Sequence, residues 1–400
     1  MDINVQGKKV LVRVDFNVPL DGDGNITDDT RMQRALPTLN YLVEGGASLI
    51  LMSHLGRPQK KLKEDGSINV EKFSLRLIVK HLANLLGRPV KFASSCVGQE
   101  AASMSSTLQP GEVLLLENTR FHKGESKGDE DFAKELASLA DIYVNDAFGT
   151  AHRAHASTTI VAKYFDKASK SFGLLMESEI KHANKALHDP ARPLVAITGG
   201  AKVSDKLLLL EKLIDFADKV IIGGGMAYTF AKAQGGSIGN SICEPDKMDL
   251  ALEIIEKAKK NNTEILLPVD NVIADDFSNE ASRQVVPTHD IPDGWEGLDI
   301  GPESRALFAK AIEGAHTIIW NGPMGVFEFE NFAHGTNDIA RAVAKATKEG
   351  AYSLIGGGDS VSAIKKNGLD DEVSFVSTGG GAMLEFLEGK VLPGIAAIEG

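Results

Sequence analysis

Cysteine is almost missing from this chain. Cys96 and Cys243 are its only two, set in opposite halves of 400 residues, so neither a disulfide framework nor a structural zinc site is expected, and both read as reduced, buried thiols. Long apolar runs are missing too. No run of about 18 apolar residues occurs, so no helical membrane span is expected. The opening MDINVQGKKVLVRV lacks the apolar stretch of a signal peptide, and a cytoplasmic location is the default expectation. Positive charge is in deficit, with 43 Lys and Arg against 55 Asp and Glu and a formal charge of −12. Such a balance favours solubility and disfavours a general nucleic-acid or anionic-membrane binder, while leaving room for a local basic cleft. Two phosphate-binding signatures are also missing: GxxxxGK[ST], and a complete GxGxxG followed at the right distance by an acid.

What is present is an apolar fraction of 43% with 40 glycines and 14 prolines, the composition of a packed enzyme with many turns. A single core rarely grows past roughly 250–300 residues, so two domains are expected. The segments 9-KVLVRVDF-16 and 47-ASLILMS-53 read as apolar strands of a sheet covered on both faces. A helix from about Thr30 separates them. The alternation continues with a helix over 73–86, strands over 89–93 and 112–116, a helix over 129–139 and a strand over 141–145. A connecting helix is read over 173–189, closed by Pro190 and Pro193. Alternation then restarts with strands at 194-LVAIT, 219-KVII, 264-EILLPVD, 316-HTIIWN, 351-AYSLI and 374-SFVS, and helices at 204–216, 246–260, 335–348 and 360–366. Each half is thus expected to be an α/β domain with a mainly parallel sheet and helices on both faces.

In parallel sheets, ligands sit beyond the carboxyl ends of strands. In the first half that rule selects Asp15 and Asn17, His54 and Arg57, Arg120, and His152 and Arg153, with Arg31 opening a helix. A lone arginine is most often solvated or ion-paired. Arg31, Arg57, Arg120 and Arg153 differ because they gather on one rim, where they would form an electropositive hollow for a phosphate or carboxylate. Arg13, inside its strand, reads as structural. A metal on His54, His152 and His155 is disfavoured, since no Cys or close acid completes the set.

In the second half, 198-TGGAKVSDK-206 and 354-LIGGGDS-360 open into glycines with polar groups behind them. Glycine turns let backbone N–H groups reach phosphate oxygens. Lys202 and Lys206 would share one face if a helix opens near 202. Asp359 and Ser360 start a helix, and Asp359 serves either as a cap or as a ligand of Mg²⁺. The glycines 223 and 224 give a second close approach, Asn321 and Glu328 flank a loop, and the glycines at 379–381 precede another helix. From the residues alone this is a two-domain enzyme acting on phosphate groups. A kinase leads, ahead of other phosphate chemistry and of a nicotinamide-dependent dehydrogenase, which would bind NAD in preference to ADP. A non-catalytic nucleic-acid binder, which would need a continuous basic surface, trails.

The segments 13-RVDFNVP-19, 53-SHLGRP-58, 117-ENTRF-121, 149-GTAHRAH-155, 199-GGAKVSDK-206, 223-GGGMA-227, 321-NGPMGVFE-328, 356-GGGDS-360 and 378-TGGGA-382 resemble, in order and over essentially the whole chain, the phosphoglycerate kinase family of glycolysis. The resemblance implies two similar Rossmann-like domains facing each other across a cleft. It implies a 3-phosphoglycerate-binding domain at 1–172, a connecting helix and hinge at 173–193, a nucleotide-binding domain at 194–385 and a tail at 386–400 that returns to the first domain. It puts 3-phosphoglycerate or 1,3-bisphosphoglycerate on Asp15, Asn17, Arg31, His54, Arg57, Arg120 and Arg153. It puts ADP or ATP on Lys202, Lys206, Gly223, Gly224, Asn321, Glu328 and the loop Gly357, Gly358, Asp359, Ser360, with Mg²⁺ toward Asp359. Arg31, Lys206 and backbone N–H groups near Gly357 and Gly380 are expected to neutralise the travelling phosphoryl group. A monomer is expected, without nucleic-acid or membrane partners.

Overall fold

Along the first strand, Lys9–Val14, the side chains of Val10, Val12 and Val14 join one apolar core and that of Leu11 joins another. Ser48–Met52 repeats the division, with Leu49 and Leu51 in the first core and Ile50 and Met52 in the second. Strand side chains alternate between faces, so an unbroken apolar run means a sheet buried on both sides. Helix Thr30–Glu44 closes one face with Met32, Ala35, Leu39 and Leu42; helix Glu130–Ala137 closes the other with Phe132, Ala133 and Leu136. Each Leu, Met or Phe among them contributes about 1.5–3 kcal/mol when fully buried, and the alanines less.

The computed structural model describes every residue except Asp2 and Asp189. Asp189, the last residue of the connecting helix as read from the sequence, lies outside the described residues. The chain forms two units, Met1–Lys181 with Val391–Gly400, and His182–Lys390. Residues 173–181 therefore belong to the first unit and 386–390 to the second. In the first unit all six strands are parallel, in the order Val90–Phe92, Val113–Leu115, Ser48–Met52, Lys9–Val14, Ile142–Asp146, Lys170–Phe172. The segment Val391–Gly400 carries a helix, Pro393–Glu399, whose Ile398 enters the second core of this unit.

The main sheet of the second unit also has six parallel strands, ordered Glu264–Leu266, Lys219–Ile222, Leu194–Thr198, Thr317–Asn321, Tyr352–Gly356, Phe375–Val376. Numbered along the chain this is 3-2-1-4-5-6, and the order reverses between Leu194–Thr198 and Thr317–Asn321. That reversal opens a crevice at the carboxyl ends of the two strands. Both units are thus α/β, as their apolar runs imply.

Several details depart from the sequence reading, among them helices Gln99–Ser106 and Pro302–Ile312, which it does not include. The helix expected over 73–86 is three pieces, Val70–Phe73, Leu75–Ile78 and Val79–Leu86. Ser74 breaks it with an extended backbone, accepting a hydrogen bond from Arg76 N and donating one to Glu117 at 2.6 Å. The helix expected from 204 begins at Leu207, with Lys206 as its N-cap, so Lys202 and Lys206 do not share a helical face. The sequence reading also passed over a three-stranded antiparallel sheet, Arg283–Pro287, Asp270–Ala274, Glu296–Ile300. Its edge strand Arg283–Pro287 is mostly exposed and carries no long apolar run.

Candidate active site

The first unit gathers its polar residues at the carboxyl ends of its central strands. Asp15 follows Lys9–Val14 and is buried; it accepts an ion pair from Arg31 at 3.1 Å, and His54 Nδ1 lies 4.0 Å away. Arg31 also donates to Asn17 O at 3.2 Å. Gly56 links this group to the outer arginines. Its N–H donates to Asn17 Oδ1 at 2.7 Å, and its carbonyl accepts from Arg120 Nη1 at 2.6 Å. With φ at +62° and the Phe73 ring 2.6 Å from any added Cβ, only glycine fits this bridge. Beside it, Arg57, Lys60, Arg120 and Arg153 line a hollow of ≈ 250 Å³ with Pro58, Gln59 and Ser126. The four arginines and Asp15, Asn17 and His54 thus occupy one continuous region of the first unit.

Arg13 is structural, as its place inside a strand implies, but its link to a second buried charge was not legible in sequence. Arg13 is buried beneath the rim, donating to Ser157 Oγ at 2.8 Å and lying 3.1 Å from His54 Nδ1. Glu125 is fully buried and accepts from Ser157 Oγ at 2.6 Å and Ser157 N at 3.0 Å. A buried guanidinium and carboxylate are thereby joined through one serine, which keeps each charge hydrogen-bonded. The fixed positive field shows in the neighbouring titrations. Burial first, then Arg13, Arg120 and Arg31, hold His54 well below the usual imidazole range. Burial and then Arg120, Arg13 and Arg153 push His155 down to about 4. Both imidazoles are neutral at pH 7, so arginines carry the charge offered to an anion.

In the second unit a pocket of ≈ 200 Å³ lies at the reversal of strand order. Gly199, Gly200, Ala201, Lys202, Asp205, Lys206, Asn321, Gly322, Gly357, Gly358 and Asp359 line it. Gly199 and Gly322 pass so closely that a Cβ on Gly199 would sit 1.9 Å from Pro323 O. Gly357, at φ +85°, is the N-cap of helix Gly358–Lys366, whose free N–H groups open at the pocket. Lys206 is half-buried and its ammonium donates to Asn321 Oδ1, while Lys202 is exposed at the mouth. Burial lowers the Lys206 pKa, and the carboxylates of Asp359, Glu388 and Asp205 oppose that shift.

Two buried polar atoms at these strand ends have no partner: Thr198 Oγ1 and Asn321 Nδ2. An unpaired buried donor costs about 1–3 kcal/mol, which an anionic oxygen in the pocket would offset. Ser360 is spent differently, since its buried hydroxyl accepts from Gly322 N and braces the loop. Gly223 and Gly224 stand behind the pocket, packed on Met324, with Gly224 N donating to Met324 O at 3.0 Å. Glu328 is exposed and Gly380 caps the short helix Gly381–Leu387; neither lines the pocket. Asp359, exposed in the first turn of its helix, and Asp205 are the carboxylates at the mouth. One or two carboxylates beside phosphate oxygens make the donor set that Mg²⁺ takes.

The comparisons with known proteins agree on one family. A family profile described as phosphoglycerate kinase matches residues 1–390. A phosphoglycerate kinase of Synechococcus sp. (strain JA-2-3B'a(2-13)) is 55% identical over 397 residues, covering 99% of this chain and 96% of the relative. That of Moorella thermoacetica is 53% identical over 399 residues, covering 99% of this chain and 98% of the relative. Among solved structures, phosphoglycerate kinase from Coxiella burnetii matches with a TM-score of 0.87 at 43% identity, covering 100% of this chain and 97% of that one. With more than half its residues shared with such relatives along nearly its whole length, the chain belongs to the phosphoglycerate kinase family.

Proposed function

We propose that the two sites are the two halves of one reaction, the arginine rim holding the phosphoglycerate and the glycine-lined pocket holding the nucleotide. The chain catalyses reversible phosphoryl transfer from 1,3-bisphosphoglycerate to ADP, giving 3-phosphoglycerate and ATP. The observation that carries the division is chemical. The first unit offers a rim of permanent cations with neutral histidines, and the second offers helix N–H groups, lysines and an unpaired Asn321 amide at a strand-order reversal.

Arg57, Arg120 and Arg153 take the phosphate of the glycerate, and Asp15, Asn17 and His54 orient its hydroxyl and carboxyl groups. On the other side Lys206, Lys202 and the Gly357–Ser360 turn take the nucleotide phosphates. Gly223 and Gly224 wall the adenosine, and Asn321 and Glu328 lie toward the phosphates and ribose. In both directions the nucleophile is already an anion, a carboxylate or a terminal phosphate oxygen. No proton has to be removed, and no general base is needed. The barrier is instead lowered by alignment and by neutralising charge on the travelling group. Arg31 and Lys206 supply that neutralisation, aided by N–H groups near Gly357 and Gly380. Mg²⁺, held by Asp359 together with the nucleotide phosphates, supplies further positive charge there when bound. The bound ligands must come within roughly 3–3.5 Å of one another for direct transfer. The working unit in this reading is a monomer in the cytoplasm. No helix among the described residues is long and apolar enough to cross a membrane.

An assay with 3-phosphoglycerate, ATP and Mg²⁺, coupled to consumption of the acyl phosphate, tests the activity. Turnover that is lost on omitting Mg²⁺ is the expected result; no turnover by a folded chain that still binds ADP would overturn it.

A further inference from the structure

Behind the nucleotide pocket lies a buried carboxylate for which the transfer has no use. Asp299, on the strand Glu296–Ile300, is 1% exposed. One of its oxygens accepts from Ile300 N at 2.9 Å and the other from Gly335 N at 2.8 Å. Gly335 lies in the first turn of helix His334–Lys348, whose own N-cap, Ala333, offers no side-chain acceptor. Asp299 therefore caps that helix from a different element, with its negative charge at the positive end of the dipole.

The same carboxylate is also a wedge. A Cβ added at Gly325 would lie 2.5 Å from Asp299 Oδ1, and one added at Gly335 would lie 2.3 Å from it. These two glycines bracket the segment that carries Glu328. Two more bonds tie the segment to the same support. Val326 N donates to Leu298 O at 2.8 Å, and Met324 N donates to Thr336 Oγ1, in the capped turn, at 3.0 Å. Met324 in turn accepts from Gly224 N at 3.0 Å, and its sulfur fills the space behind Gly223. A continuous path of contacts thus runs from Asp299 through Gly325 and Met324 to the wall at Gly223 and Gly224. Keeping a carboxylate there is costly. Burial pushes its pKa up to about 7; the N–H groups of Gly335 and Ile300 and the charge of Arg305 oppose the rise, and Asp338 adds to it.

We propose that Asp299 is a positioning residue for the nucleotide: without touching it, Asp299 holds the loop from Asn321 to Glu328, and through it the Gly223–Gly224 wall, in the geometry that binds. This inference rests on the nucleotide reading of the second unit. Asp299→Asn keeps the volume and one acceptor but sets an amide N–H group against a backbone N–H. KM for the nucleotide is expected to rise roughly 5–20-fold, with kcat changed less than about 3-fold and KM for 3-phosphoglycerate unchanged, the pattern of lost ground-state binding. Tm should fall by no more than about 4 °C, the shift of roughly 1 kcal/mol. If Asp299→Asn does not fold, Thr336→Val, which takes the acceptor from Met324 N, is read in the same way. An unchanged nucleotide KM, or equal losses in all three kinetic parameters, would overturn the role. Two controls keep the readings apart. Failure of the unmutated chain to bind ADP by calorimetry removes the nucleotide reading itself. If Glu328→Ala leaves the nucleotide KM unchanged while Asp299→Asn raises it, only the ribose assignment falls and the positioning role stands.

Discussion

Lys206→Ala is the substitution that bears most directly on the chemistry. The ammonium sits half-buried on Asn321 Oδ1 in the glycine-lined pocket of the second unit. If it neutralises charge that develops on the travelling group, its loss should fall on kcat. Removing one preorganised donor to developing charge typically costs a factor of about 10²–10³, or roughly 2.7–4 kcal/mol of transition-state stabilisation. KM for either substrate should move less than about 3-fold, because Lys202, the Gly357–Ser360 turn and the glycine wall remain. The structure sets a second magnitude. Without Lys206, Asn321 loses the donor to its oxygen while its amide nitrogen is already unpaired. The pocket is open to water, so the cost should stay near the lower end of about 1–3 kcal/mol. For a unit of this size that corresponds to a Tm lowered by roughly 2–4 °C. Steady-state kinetics well below the transition, with a melting curve on the same preparation, separate the two effects. A near-normal kcat would refute the catalytic assignment. A raised nucleotide KM with kcat intact would make Lys206 a binding residue and shift the neutralising role toward Lys202 at the mouth.

Three further outcomes are expected. Arg57→Ala and Arg153→Ala should each weaken 3-phosphoglycerate while leaving ADP binding nearly unchanged in calorimetric titrations; a larger loss of ADP would break the assignment of ligands to units. Asp359→Ala should weaken Mg·ADP more than metal-free ADP, and equal losses would reduce Asp359 to a first-turn residue of its helix. Asp146→Asn should stabilise the protein at pH 8 and lose that advantage toward pH 4. Burial raises the Asp146 pKa from 3.8 to about 6, so its favourable contribution is complete below pH 3.8 and lost as pH rises through 6. The ceiling is about 3 kcal/mol, and a pH-independent difference in denaturant midpoints would contradict the reading.

Much of the scaffold was legible because doubly buried strands leave unbroken apolar runs such as 49-LILM-52 and 194-LVAI-197. The candidate site was legible where composition ran against its surroundings: arginines after strand ends in an acidic chain, and glycines directly after apolar strands. What stayed hidden depends on long-range pairing. Nothing local marks Glu125, in 123-KGESKG-128, as buried, because Ser157, which donates to it twice, is distant in sequence, as is Arg13, which reaches it only through that serine. Asp299 lies on a strand that the sequence does not reveal, and its role emerges only where Gly325 and Gly335 close over it. Strand order is also invisible locally, so the crevice between Thr198 and Asn321 could not be placed from the runs alone.

The last ten residues have a bearing on how the chain acquires its structure. Gly394 N donates to Ala151 O at 2.8 Å, Lys167 donates to Glu399 O at 3.1 Å, and Ile398 enters a core with Leu11, Ile50 and Tyr143. The first unit is therefore built from both ends of this sequence, with His182–Lys390 inserted between them. On the ribosome, at about 5–20 residues per second, the whole second unit emerges before that core can be completed, a delay on the order of ten seconds or more. During that interval the surface at Ile160–Tyr164 that later receives helix Pro393–Glu399 is left uncovered. Proteolysis during synthesis should then find the first unit protected only once Val391–Gly400 is free to dock, no earlier than the second unit, which ends at Lys390, is itself complete.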